Sequence, residues 1–123
     1  MKKLKGAWLA GVAVAVLAGS AAQAQMSDGM IKIGVLTDMS SLYTDLAGAG
    51  SVQAAKMAVE DFGAAGKGMK VEIISADHQN KADVGSTTAR SWYDVEKVDV
   101  IVDVPNSGVA LAVNEVTREK NKV

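Results

Sequence analysis

The stretch "VDVIVDVPNSGVALAV", residues 98–113, begins with the pattern of a strand and continues with that of a helix. Its first seven residues are mostly β-branched and apolar, which is typical of a buried strand. Further along, four apolar residues recur at the spacing of one helix face: Val109, Ala112, Val113 and Val116. A polar hinge lies between the two patterns and contains Asp103, Pro105, Asn106, Ser107 and Gly108. The stretch therefore predicts a strand joined to a helix by a polar loop.

The same order occurs twice more upstream. "IKIGVLT" (31–37) and "KVEIISA" (70–76) are short apolar runs that predict two further strands. The helix expected after the first is striped by four apolar residues: Val52, Ala55, Val59 and Phe62. The helix expected after the second covers residues 82–96, with three core residues: Val84, Trp92 and Val95. Alternating strands and helices predict an α/β fold, a parallel sheet with helices on both faces and right-handed crossovers.

Polar residues follow all three predicted strands, in the segments 38–43, 77–80 and 103–107. In parallel sheets, ligands bind outside the carboxyl ends of the strands, at a topological switch point. Asp, Asn and Ser also cap the helices that follow such strands, so a purely structural role stays open. Capping accounts less well for Tyr43, because a tyrosine in a loop is more easily explained if it covers a ligand.

The N-terminus has the pattern of an export signal. Three lysines stand among the first five residues, an apolar stretch covers 7–19, and Ala22 and Ala24 form a small-x-small cleavage site. The apolar stretch is shorter than the roughly 20 residues that a membrane-spanning helix needs. Ser20 stands where a lipoprotein signal would have its cysteine, and the chain contains no cysteine. We therefore expect a signal peptide at 1–24 and an exported, soluble product without a lipid anchor.

Charge and composition argue against several classes of function. The net charge is −1 and becomes more acidic once the lysines of the signal are removed, whereas nucleic-acid binding asks for a basic face. A metal cluster is not expected, because His78 is the only histidine. "GAGSVQ" (48–53) partly matches the glycine-rich motif of dinucleotide-binding proteins. It lacks the third glycine of that motif and begins too far after the first strand. No cofactor, metal or nucleic-acid partner is predicted.

Two other classes of protein share parts of this pattern. An exported α/β hydrolase would use Ser107 with His78 and an aspartate, although the glycines of a nucleophile elbow are missing around Ser107. A phosphoacceptor receiver domain has the same order of strands and helices and could use Asp103. Its partner would be a cytoplasmic kinase, which an exported chain does not meet.

Three segments in order carry a resemblance to a known family: "IKIGVLTDMSSLYTDLAGAGSVQAAKMAVEDF", "AAGKGMKVEIISADHQNKADVG" and "VDVIVDVPNSGVALAV". Together they resemble the N-terminal lobe of type I periplasmic solute-binding proteins of ABC importers, in the leucine/branched-chain amino acid branch. The resemblance covers residues 30–123 and implies two αβ lobes that close on a small solute. Residues 25–123 would then be an incomplete N-terminal lobe. The family commonly has Ser-Gly-Pro in the first loop, where this chain has Ser40-Ser41-Leu42.

The resemblance also implies a binding site. The loop after the third strand and the start of its helix would hold the carboxylate of the solute, with Asn106 and Ser107 as added donors. Unpaired N–H groups and the helix dipole favour an anion at that position. Asp103 would orient the loop or receive a cation, and Tyr43 would cover the side chain of the solute.

The implied function is capture of an amino acid of the branched-chain type, or of a related small carboxylate, in the periplasm by closure of the two lobes, without catalysis. The solute would pass to an ABC permease in the inner membrane. A ligand-binding sensor domain of a signalling receptor, which shares this fold, is the alternative besides the hydrolase.

Overall fold

A computed structural model describes residues 29–123, so the predicted signal peptide at 1–24 lies outside the described part. Strands and helices alternate: β1 Ile31–Thr37, α1 Gly48–Phe62, β2 Val71–Asp77, α2 Ala82–Ser91, β3 Val100–Val102 and α3 Ser107–Glu119. A short 3₁₀ turn (Ala65–Lys67) precedes β2, and a π-helical turn (Trp92–Glu96) continues α2. No helix in the range 29–123 has the length and apolar character needed to cross a membrane.

The three strands form a parallel sheet in the order β2-β1-β3. β1 pairs with β2 along its whole length, from Ile31 opposite Val71 to Thr37 opposite Asp77. It pairs with β3 over three residues, beginning with Ile33 opposite Val100. Parallel neighbours need long crossover connections, which the helices supply. The predicted α/β fold with helices on both faces of a parallel sheet is confirmed.

The core lies on the face that α2, the π-helical turn and α3 cover. Eight buried residues form it: Leu36, Ala89, Trp92, Tyr93, Val98, Val109, Val113 and Val116. Gly34 of β1 lies directly under the Trp92 ring, which leaves no room for a side chain at that position. A Cβ placed on Gly85 of α2 would lie 2.5 Å from Val109 Cγ1 of α3. Two glycines thus bring α2 close to α3 and the π-helical turn close to the sheet.

Helix α1 covers the opposite face less tightly. A groove of about 400 Å³ lies between α1 and the sheet, with Ile33, Val59, Phe62 and Val71 among its lining residues. Phe62 is 55% exposed and its ring contacts the Lys67 ammonium, 5.1 Å from the ring centroid. The predicted apolar stripe of α1 therefore faces the sheet, but Phe62 lies at its edge and not in the core.

Two details differ from the sequence prediction. Val95 was expected in the core but is 69% exposed, because the helix widens into the π-helical turn and Tyr93 takes the buried position. The third strand, predicted over 98–104, is limited to Val100–Val102. Asp103 adopts a left-handed φ of 58°, which ends the regular strand.

Candidate functional site

Three loops leave the carboxyl edge of the sheet: 38–47 after β1, 78–81 after β2 and 103–106 after β3. The first two are joined directly, because the His78 N–H donates to the Thr37 carbonyl at 2.8 Å. The third comes close through its helix, since Gly85 near the start of α2 touches Val109 in the first turn of α3. The predicted gathering of polar residues at one edge of the sheet is present in the structure.

Asp38 organises the first loop. Its side chain is fully buried, and its carboxylate accepts hydrogen bonds from the N–H groups of Ser40 (3.3 Å), Ser41 (2.9 Å) and Tyr43 (2.9 Å). The Ser41 hydroxyl adds a fourth bond at 2.6 Å. Burial by itself would raise the pKa of Asp38, but these hydrogen bonds to the charged form outweigh it and the pKa is lowered from 3.8. Asp38 is therefore an anion enclosed by its own loop.

Asp77, at the end of β2, ties the second loop to the first. Its Oδ1 accepts from the N–H of Met39 at 3.0 Å and from the N–H of Gln79 at 2.8 Å. Burial raises its pKa, whereas bonds from the Ser40 hydroxyl and the two N–H groups lower it; the charge of nearby Asp38 opposes them slightly. The net effect lowers the pKa of Asp77. Two carboxylates thus fix the geometry of this part of the edge.

Tyr43 stands in the middle of the first loop and is partly buried. Asp38 holds its N–H, and its carbonyl accepts from the N–H groups of Leu46 (3.0 Å) and Ala47 (2.9 Å). Leu42 and Leu46 flank it and are 75% and 84% exposed. The loop therefore carries a part-buried tyrosine and two largely exposed leucines.

Asn106 is the N-cap of α3. Its Oδ1 accepts from the Val109 N–H at 2.9 Å, and its carbonyl accepts from the Ala110 N–H at 2.8 Å. The capping role considered for this hinge is therefore present, and it occupies the side-chain oxygen of Asn106. The N–H groups of Ser107 and Gly108 precede the first bonded turn, and both residues are exposed. This end of α3 combines donors, a helix dipole and access from outside.

Three buried polar atoms of the described chain have no hydrogen-bond partner: His78 Nε2, Asn80 Oδ1 and Asp103 Oδ2. The His78 side chain is fully buried, and its Nδ1 accepts from the Asn80 N–H at 3.0 Å. Nε2 must then carry the ring proton, and it is not bonded to Ser107. The Ser107–His78 pair of the hydrolase alternative does not form. Asp103 Oδ2 is shielded from solvent. The expected role of Asp103, to orient the loop or to receive a cation, stays a prediction.

Within the described residues, no group of three or more His, Cys, Asp or Glu side chains is arranged to hold a metal ion. The candidate site consists instead of main-chain donors, the buried Asp38 carboxylate, the part-buried Asp77 carboxylate and one aromatic side chain. Such an arrangement of donors and side chains could bind a small anion or zwitterion. Sequence reasoning did not assign Asp38 and Asp77 to the site, although an aspartate at the end of two successive strands was the available signal.

Comparison with known protein families gives a match to the family described as "Periplasmic binding protein", over residues 30–123. The chain belongs to the periplasmic binding protein family. The membership predicted from the three sequence segments is confirmed.

Solved structures agree with this assignment. A periplasmic binding protein from Burkholderia mallei is 48% identical, with a TM-score of 0.73 over 77% of this chain and 25% of that one. A branched chain amino acid ABC transporter periplasmic ligand-binding protein from Burkholderia xenovorans LB400 is 50% identical, with a TM-score of 0.72 over 76% and 25%. A branched-chain amino acid transporter substrate binding protein from Streptococcus pneumoniae, 22% identical over 76% and 27%, shares the fold with a TM-score of 0.67.

No curated protein matches the chain. The chain spans about a quarter of the length of the two Burkholderia proteins. The similarity therefore concerns one part of a larger binding protein.

Proposed function

We propose that the intact protein is the solute-binding component of an ABC importer, and that it captures an amino acid or a related small carboxylate in the periplasm. The family match over 30–123 supports this proposal, as does the name of the Burkholderia xenovorans relative, a branched chain amino acid ligand-binding protein. Residues 1–24 would be the export signal and residues 25–123 part of the N-terminal lobe. The partner would be an ABC permease in the inner membrane, and no enzymatic activity or cofactor is involved.

The observation that carries the proposal is the open first turn of α3. Helix α3 has 13 residues, begins at the carboxyl edge of the sheet and presents the exposed Ser107 and Gly108. The first N–H groups of a helix lack intrahelical partners, and the aligned peptide dipoles favour a negative charge there. A solute carboxylate would accept hydrogen bonds from these N–H groups and from the Ser107 hydroxyl, with the Asn106 amide as a further donor.

The rest of the solute would face the first loop. Tyr43 shares the first loop with the exposed Leu42 and Leu46, and these three side chains suit an aliphatic or aromatic group. Asp103 would orient the loop after β3 or face the ammonium group of an amino acid. Solved structures of the same fold hold isoleucine in one protein and benzoate in another, and both compounds combine a carboxylate with an apolar part.

Binding would be completed by a second lobe. A solute that contacts both lobes stabilises the closed arrangement over the open one, which is the general basis of such a switch. The closed form would then be the one that delivers the solute to the permease.

The proposal is tested by calorimetry of the full-length protein with three compounds: isoleucine, isoleucinamide and benzoate. We expect isoleucine or benzoate to bind, and isoleucinamide to bind at least about tenfold more weakly than isoleucine, because it lacks the carboxylate charge. Equal affinity for isoleucine and isoleucinamide would contradict a carboxylate site. Binding of neither acid would contradict the proposed class of solute.

A further inference from the structure

The Asp38 carboxylate faces the inside of its own loop. Its side chain has no exposed surface, and all four of its hydrogen bonds come from residues 40–43. A charged group that is enclosed in this way does not reach a solute. Its bond partners nevertheless include the N–H of Tyr43, the residue that we propose to cover the solute.

We propose that Asp38 is a positioning residue for solute binding, which holds Tyr43 in the binding-ready arrangement before the solute arrives. This inference rests on the proposed function, because it assumes that Tyr43 faces the solute. A loop that is already ordered loses less conformational freedom when the solute binds, so the affinity is higher.

A simple helix-capping role does not account for these bonds. The N-cap of α1 is Ala47, which has no side-chain capping bond, and the Gly48 N–H donates instead to Thr37 Oγ1 at 3.0 Å. Asp38 bonds only to residues four or more positions before α1. Its carboxylate therefore serves the loop and not the helix.

Three residues hold different parts of the first loop. Asp77 holds the start of the loop through the Met39 N–H, and Thr37 holds its end through the Gly48 N–H. Asp38 holds the middle, where Tyr43 lies. Loss of Asp38 should consequently free the middle of the loop while both ends stay attached to the sheet.

The positioning role needs a carboxylate. Asparagine has nearly the same shape, but one of its two polar atoms is an N–H₂ donor. In either orientation of the amide, that donor would face main-chain N–H groups of Ser41 or Tyr43, which are donors themselves. Asp38→Asn therefore removes acceptors from the loop with little change in volume.

The first test compares Asp38→Asn with Asp45→Asn in the full-length protein without solute. Asp45 is exposed and lies in the same loop, so its variant is a matched control for the lost charge. By hydrogen exchange we expect the Ser41 and Tyr43 amides to exchange at least about tenfold faster in Asp38→Asn, and not in Asp45→Asn. Unchanged exchange in Asp38→Asn would overturn the proposal.

The second test is a double-mutant cycle on isoleucine affinity, with Asp38→Asn, Tyr43→Ala and the double variant. We expect Asp38→Asn to weaken binding about tenfold or more, and Tyr43→Ala to cost little further in that background, because coupled residues are not additive. Fully additive effects would overturn the positioning role. Absence of isoleucine binding by the wild type would contradict the proposed solute, and the exchange result alone would then decide the role of Asp38.

A third variant covers the case in which Asp38→Asn does not fold. Ser41→Ala removes the shortest of the four bonds and keeps the buried carboxylate. We expect faster exchange at the Tyr43 amide and weaker isoleucine binding than in Asp45→Asn, with the fold retained. Exchange and affinity equal to those of Asp45→Asn would overturn the proposal.

Discussion

At the scale of single residues, two aspartates at neighbouring strand ends determine the shape of the candidate site. Asp38 and Asp77 both accept main-chain hydrogen bonds as anions, and in both the hydrogen bonds outweigh the effect of burial on the pKa. An ionised carboxylate that is preferred in the folded state makes folding depend on pH. The site and the stability of the sheet edge are therefore linked through the same two groups.

The pH dependence has a defined direction. Because the folded-state pKa values of Asp38 and Asp77 lie below 3.8, their contribution to stability is fully present above that value. It is lost as the pH falls through the lower, folded-state values. We expect the melting temperature to fall as the pH drops below about 4, and to fall less steeply in Asp77→Asn. A wild-type profile no steeper than that of Asp77→Asn would contradict this assignment.

The polar hinge shows how far single residues could be predicted. Asn106 was predicted either to cap the helix or to bind a ligand, and the capping bond to Val109 is present. The enclosure of Asp38 could not be predicted, because it depends on how the loop folds back and not on residue type. The left-handed φ of Asp103 likewise depends on the loop, so the early end of β3 was missed.

At the scale of elements, the order of strands and helices followed from local patterns. Runs of β-branched residues and a 3.6-residue apolar spacing are properties of short segments, and all three predicted strand–helix pairs are present, although β3 is shorter than predicted and α2 ends in a π-helical turn. The prediction that Val95 lies in the core was wrong, because the π-helical turn changes the helical phase after Trp92. The apolar spacing of the sequence does not reveal such a turn. Phe62 is more exposed than its place in the apolar stripe predicts, because α1 covers its face of the sheet only loosely.

The contact between α2 and α3 depends on Gly85. We expect Gly85→Ala to lower the free energy of unfolding by about 1–3 kcal/mol, because its Cβ would lie 2.5 Å from Val109 Cγ1. Gly50→Ala is the control, since Gly50 is in α1 and a Cβ there would have no neighbour within 4 Å. Denaturant unfolding should show the control unchanged or slightly more stable.

Val109→Ala supplies the complementary test of the same contact. It opens space opposite Gly85, so the double variant should be less destabilised than the sum of the two single changes. Additive losses would mean that the helices do not meet at this point.

At the scale of the whole molecule, the described residues form a sheet edge with a candidate site, and the chain spans about a quarter of the length of its Burkholderia relatives. In the proposed mechanism, this edge of the sheet and the start of α3 would form one side of the cleft, and a second lobe would form the other. The groove of about 400 Å³ lies under α1.

If the first turn of α3 holds a solute carboxylate, a change at Ser107 must alter the affinity for the solute. The decisive measurement is the isoleucine affinity of full-length Ser107→Asp, determined by calorimetry beside Ser107→Ala. Ser107→Ala should weaken binding about ten- to a hundredfold, because it removes one charge-assisted donor. Ser107→Asp should weaken it further, because its charge would lie where the carboxylate of isoleucine binds. Wild-type affinity in both variants would show that the polar hinge only caps α3 and would contradict the account.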